Sequence, residues 1–174
     1  FLGAWKLLYW QGLLYVGVAL VGVTLSHVLA RKGSDITVER ASRAAEGEAW
    51  DKRLLSAYFL MTLATFVTAG LDSGRFRWSG EVPPEVTVGG VVLMLAGQLL
   101  FALARRENNF FSSTAAIQTE RGHRVCETGP YRLVRHPGYL GMLMSLVAFP
   151  MVLQSYWAFL PTAVAAALLF VRTS

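Results

Sequence analysis

From Gly138 to Val171 the chain runs for 34 residues without a charged side chain. One straight helix of that length would reach about 50 Å, well beyond the ~30 Å hydrocarbon core of a bilayer. The run therefore has to fold back. Pro150, Gln154 and Ser155 stand near its middle and predict a tight hairpin of two short apolar helices.

Three further runs lack charge: Leu7 to Ala30, Leu54 to Leu71 and Val86 to Ala104. Each is long enough for a spanning helix, which takes roughly 17–25 mostly apolar residues. Composition agrees, since only 16% of the chain is charged against about 25% in soluble domains. The expected fold is all-α: a polytopic membrane protein of about five transmembrane helices, closed by the C-terminal hairpin. The first apolar run exceeds the roughly 7–15 residues of a cleaved signal peptide, so it reads as a span.

The sequence pI of about 9.7 first suggests nucleic acid, but the placement of the charges points to a lipid bilayer instead. Lys and Arg number six in segment 31–53, two in 72–85, six in 105–137 and none in 150–155. Cytoplasmic loops carry such an excess. The N-terminus is therefore expected outside, with both basic loops and the C-terminus cytoplasmic and close to anionic lipid. Trp5, Trp10, Trp78, Tyr156 and Trp157 then fall near the outer span ends, as an aromatic belt does. The single cysteine, Cys126, excludes an internal disulfide and a cysteine-based zinc site and reads as an ordinary thiol.

The chain divides into a helical pair with a polar connecting segment (1–80) and a second part (81–174) that holds the third span, a long polar loop and the hairpin. Within the connecting segment, Ser42–Glu48 suits a short surface helix. The loop up to Arg135 contains Gly122, Gly129 and Pro130 and reads as irregular. Irregular loops of that length in a compact protein are usually functional. Two polar residues inside spans stand out, because lipid makes them costly. Gln98 either lines a pocket or bonds to a neighbouring helix, and His27 reaches the interface or a backbone carbonyl.

The densest chemical signal is Gly129-Pro130-Tyr131-Arg132-Leu133-Val134-Arg135-His136-Pro137-Gly138-Tyr139-Leu140-Gly141. It stands at the threshold of the hairpin. Pro137 suits the first turn of a helix, whose free N–H groups and positive dipole end attract a carboxylate. Arg135 adds a permanent fork of donors, and His136 donates or accepts near neutral pH. Tyr131 and Tyr139 offer rings and hydroxyls, while Gly138 and Gly141 permit close approach of a ligand or a helix. A small zwitterion fits these groups; so does a plain interfacial helix cap.

Upstream lie Asn108-Asn109-Phe110-Phe111-Ser112-Ser113, then Ile117-Gln118 and Arg121-Gly122-His123. With the Arg-His-Pro-x-Tyr stretch, this set resembles the signature of the isoprenylcysteine carboxyl methyltransferase family, itself similar to phospholipid and small-thiol methyltransferases of membranes. The likeness covers about residues 100–172, and the first 80 residues match in general layout alone.

The resemblance implies S-adenosylmethionine as methyl donor, wrapped by the loop from Gly129 to Tyr139. Arg135 and His136 would contact its amino-acid end. Gly129, Pro130, Tyr131, Pro137 and Tyr139 would line the pocket, Leu140 and Gly141 would pack beside it, and Gln118 and His123 would lie nearby. Arg135, His136 and Tyr139 are the catalytic candidates. Arg106 and Asn109 would face a lipophilic or small-molecule acceptor: an isoprenylcysteine carboxylate, a lipid amine or a thiol. The sulfonium already activates the methyl group, so no metal is implied. A carboxylate acceptor needs no base, whereas a thiol or amine would need one, with His123, His136 or an acidic residue of the family pattern not seen in this sequence as candidates. The family pattern continues past the hairpin with an arginine and two acidic residues. Arg172 is the candidate arginine, and the acidic pair is expected beyond Ser174.

Two other readings share parts of the pattern. Membrane sterol reductases using NADPH carry an Arg-His-Pro-x-Tyr-x-Gly stretch, but with an acidic residue where this chain has Met142. A non-catalytic membrane subunit is the other, although a bis-histidine haem would find His27 alone within a span.

Overall fold

The computed structural model describes residues 4–6, 8–29, 49–107 and 126–172. These residues form five helices: α1 (Trp10–Leu29), α2 (Ala49–Ala69), α3 (Pro84–Glu107), α4 (Pro137–Val152) and α5 (Phe159–Val171). Helix α2 continues into a π-helical segment, Gly70–Phe76. Helices α1, α3 and the combined α2 are long and apolar enough to cross a membrane, while α4 and α5 are shorter apolar helices joined as a hairpin. No strand occurs among the described residues. The expected all-α membrane architecture is therefore present.

The helix ends differ from the uncharged runs in one instructive place. Leu54–Leu71 lacks charge, yet α2 begins at Ala49 and its first turns hold Asp51, Lys52 and Arg53. Asp51 is fully buried, so charge alone misplaced the boundary. At the other end the π segment turns Asp72 inward, where it too is fully buried.

The tightest packing joins α3 to α4. Gly90, Met94, Gly97, Phe101 and Ala104 recur on one face of α3 at alternating spacings of four and three, the pattern of an interlocking helix seam. A Cβ built on Gly97 would stand 2.6 Å from the Gly141 carbonyl oxygen, and one on Gly141 would stand 2.5 Å from the Gly97 carbonyl oxygen. The two backbones are in contact there, which only glycine permits. Helix α1 packs against α3 and α2 against α5, so each N-terminal helix leans on a different partner. Tyr15 of α1, Phe66 of α2 and Phe149 of α4 tie the layers together, with ring centroids 4.9–5.3 Å apart.

The hairpin turn closes one end of the bundle. Pro150 lies inside α4, close enough to the C-terminus that the helix ends within three residues. Gln154 then takes a left-handed φ of 55°. Its amide accepts from Gln11 Nε2 (3.2 Å) and donates to Thr87 Oγ1 (3.0 Å), holding the strained residue between α1 and α3. Nearby, the Tyr9 hydroxyl bonds Ser73 Oγ at 2.6 Å, and Ser73 donates to the Leu153 carbonyl, also at 2.6 Å. Asp72 accepts from the Ser79 backbone N–H (2.8 Å), from the Ser79 hydroxyl and from the Ser155 hydroxyl (2.6 Å). Trp5, Trp10, Trp78, Tyr156 and Trp157 are all exposed around this end, consistent with a belt at an interface.

Candidate active site

At the opposite end, α4 starts where the motif placed it. Pro137 occupies the first turn, and His136 stands at the N-cap position without a side-chain cap bond. Pro137 and Gly138 are buried, whereas Arg135 and His136 are exposed. The cyclic side chain of Pro137 anchors the helix start in the core and leaves its two polar neighbours outside. Tyr139 is half-buried, and its ring meets the His136 ring edge-on with centroids 6.1 Å apart.

The preceding stretch docks on the end of α3. Gly129–Arg132 form one 3-10 turn, entered through Gly129 at φ 55°. Glu107 holds this entry: Thr128 Oγ1 donates to its carboxylate at 2.6 Å. A Cβ on Gly129 would come within 3.1 Å of the Glu107 side chain. The Tyr131 hydroxyl reaches the Ala104 carbonyl at 3.4 Å. Cys126 is half-buried, its thiol 3.9 Å from the Glu107 carbonyl.

The C-terminal end of α5 returns beside the motif. The Arg172 guanidinium lies 5.7 Å from the centre of the Tyr139 ring, within reach of a cation–π contact. It is held by Asp51 at the start of α2, through Nε–Oδ1 at 2.7 Å and Nη2–Oδ2 at 3.0 Å. The two side chains are 6% and 0% exposed. Two parallel donor bonds of this kind fix orientation as well as distance.

Of the residues singled out in the sequence, the fold thus gathers Pro130, Tyr131, Arg135, His136, Pro137, Tyr139 and Leu140 at one end of the bundle. Gly141 lies one turn deeper and spends its missing side chain on contact with α3. Arg106 is exposed at the end of α3. Asn109, Gln118 and His123 lie outside the described residues, as does Ser42–Glu48. The sequence reading gave no site role to Asp51 or Glu107. Glu107 was legible in hindsight as the last acidic residue before the loop. Asp51 lies 121 positions from its partner, and no local pattern relates them.

One turn into α4, a cleft of about 440 Å³ opens between α1, α3 and α4, with Tyr58 of α2 at its side. Gly141 and Met142 form part of its wall, and Arg105 lies at its end nearest the motif. Its lining is mainly apolar.

Residues 88–174 match the isoprenylcysteine carboxyl methyltransferase (ICMT) family. The chain belongs to that family. No curated protein and no solved structure matches it. The matched region of this ICMT-family chain takes in nearly all of α3 and the whole of α4 and α5, and with them the α3–α4 seam and the motif. Membership makes the protein a membrane methyltransferase. Asp51, which holds Arg172, comes from outside the matched region.

Proposed function

We propose that the protein is an S-adenosylmethionine-dependent methyltransferase whose acceptor reaches the site from the bilayer. The observation that carries this reading is the convergence of His136, Tyr139 and Arg172 at the uncapped start of α4. Exposed Arg135 and His136 and the free backbone N–H groups suit a carboxylate. The Tyr139 ring suits a cationic group beside it. A methyl donor that is both a zwitterion and a sulfonium asks for this combination, so the residues present fit it. When bound, the donor supplies an already activated methyl group.

The chain's own part is placement. Arg135 and His136 hold the amino-acid end of the donor, with Tyr131, Leu140 and Gly129 to Pro137 shaping the pocket. Asp51 fixes Arg172 beside Tyr139, so this side of the site does not drift. The cleft beside Gly141 and Met142 delivers a lipophilic acceptor along the membrane face of α4, and Arg105 and Arg106 attract an anionic headgroup there. Asn109, Gln118 and His123 complete the proposed set. An acceptor carboxylate needs no base; for a thiol or amine, His136 takes the proton. Residues 81–174 form the catalytic core, and residues 1–80 wall the cleft and steady Arg172. The excess of Lys and Arg in segments 31–53 and 105–137 supports a cytoplasmic motif and C-terminus.

Calorimetric titration of S-adenosylmethionine into the full-length protein in detergent tests this. The parent should bind, and His136→Ala should lose at least about tenfold, or ~1.4 kcal/mol. A parent that does not bind the donor overturns the reading.

A further inference from the structure

Helix α3 ends on an acidic residue. The C-terminus of a helix is the negative end of its dipole and favours cations, a preference that Arg105 and Arg106 in the same last turn meet. Glu107 runs against it, so its carboxylate needs stabilisation from elsewhere. The partner is Thr128, 21 positions along the chain, whose Oγ1 donates to Glu107 Oε1 at 2.6 Å. That is the short length of a hydroxyl bonded to a charged acceptor.

The residues after Thr128 lean on the same turn of α3. Gly129 lies so close to Glu107 that an added Cβ would stand 3.1 Å from its Cγ and 3.2 Å from its carboxyl carbon. The Thr128 carbonyl accepts from the Tyr131 N–H at 3.2 Å, and the Pro130 carbonyl accepts from the Leu133 and Val134 N–H groups at the same distance. The Tyr131 hydroxyl returns to the Ala104 carbonyl, one of the last four of α3 and so without a partner inside the helix. The turn is only four residues long and buries none of them. A single 3-10 turn has poor hydrogen-bond geometry of its own. Its shape is borrowed from α3, through the Glu107 carboxylate and the Ala104 carbonyl.

We infer that Glu107 is a positioning residue of the donor site. Acting through Thr128, its carboxylate sets the Gly129–Arg132 turn, and with it Tyr131 and the approach to Arg135 and His136, in the form the donor binds. This rests on the reading of the motif as the donor's site. Glu107 serves as a fixed acceptor rather than as a charge in the pocket. Ordering completed in the free protein is not subtracted from the affinity when the donor arrives.

Two measurements on the full-length protein in detergent test the role. Amide hydrogen exchange without donor reads the turn itself. Thr128→Val should speed exchange at Tyr131, Leu133 and Val134 about fivefold, the worth of one hydrogen bond, and leave Leu140 in the first turns of α4 unchanged. Titration with S-adenosylmethionine reads the consequence. Glu107→Ala and Thr128→Val should each lose about fivefold in affinity, and the double variant no more than either alone, as two residues acting through one bond do. Glu107→Gln keeps the acceptor oxygen and Thr128→Ser keeps the hydroxyl, so both should bind within about twofold of the parent. Thr128 is exposed, so Thr128→Val carries the test if Glu107→Ala fails to fold. Unchanged exchange in Thr128→Val overturns the inference alone. So do losses that add in the double variant, or a Glu107→Gln protein as weak as Glu107→Ala, which would make Glu107 a charge facing the donor. A parent that binds no donor while its turn still responds to Thr128→Val overturns the methyltransferase reading, and the role assigned to Glu107 with it.

Discussion

Helix α2 and its π-helical extension carry two fully buried aspartates, one toward each end of the bundle, and the molecule holds them in different ways. Asp72, at the turn end, is surrounded by neutral donors: the Ser79 backbone N–H and hydroxyl and the Ser155 hydroxyl. Asp51, at the motif end, faces the guanidinium of Arg172. Neutral donors satisfy a carboxylate locally and leave nothing over. An arginine does more, because its planar group also presents a face, and here that face is turned to Tyr139. The first aspartate fastens a turn; the second sets the position of a cation next to the motif.

The largest effect should come from Asp51→Ala. Removing one partner of a buried pair costs about 3–5 kcal/mol, measurable as a drop in unfolding free energy in detergent, and S-adenosylmethionine affinity should fall with it. The double variant Asp51→Leu/Arg172→Met should regain much of the stability, since apolar replacements of buried pairs are often tolerated, but not the donor affinity. Recovery of both would mean that the pair is a structural fastening like the other. Asp72→Ala should cost less, about 1–3 kcal/mol for donors left without an acceptor, with donor affinity unchanged. If that affinity falls as far as in Asp51→Ala, the contrast between the two ends disappears. The smallest effect belongs to Tyr9→Phe, which loses the bond to Ser73 and should lower stability by about 1 kcal/mol with methyl transfer intact. A Tyr9→Phe protein with impaired transfer would show that the turn end reaches the chemistry after all.

The hairpin was legible because charge-free length is a physical bound: 34 residues cannot cross once, and Pro150 with Gln154 and Ser155 marks the fold-back. The start of α4 was legible because proline at a first turn and the polar pair before it are local features. The family resemblance found in the motif was borne out by the match over residues 88–174. What escaped were relations between distant residues. Asp51 and Asp72 flank an uncharged run and read as its polar borders, yet both are interior. Gly90 and Gly97 carried no local signal, and Gly141 was read as permitting close approach of a ligand or a helix; the α3–α4 contact shows which backbones they bring together. Gln98 was left between lining a pocket and bonding a neighbour; it lines the cleft. The site residues Asn109, Gln118 and His123 lie outside the described structure, and their roles rest on the proposal above.

The shortness of the hairpin carries a consequence for the membrane around it. Helices α4 and α5 have 16 and 13 residues, which is about 24 Å and 20 Å of helix, against a hydrocarbon thickness of ~30 Å. Lipids bordering this side of the protein must compress to match it. Headgroups are drawn down toward His136 and Arg135, so the distance that the proposed membrane-borne acceptor has to travel shrinks. Bilayer thickness then becomes a setting on the enzyme, with turnover expected to rise in vesicles of shorter-chain lipids and to fall in thick, sterol-rich ones.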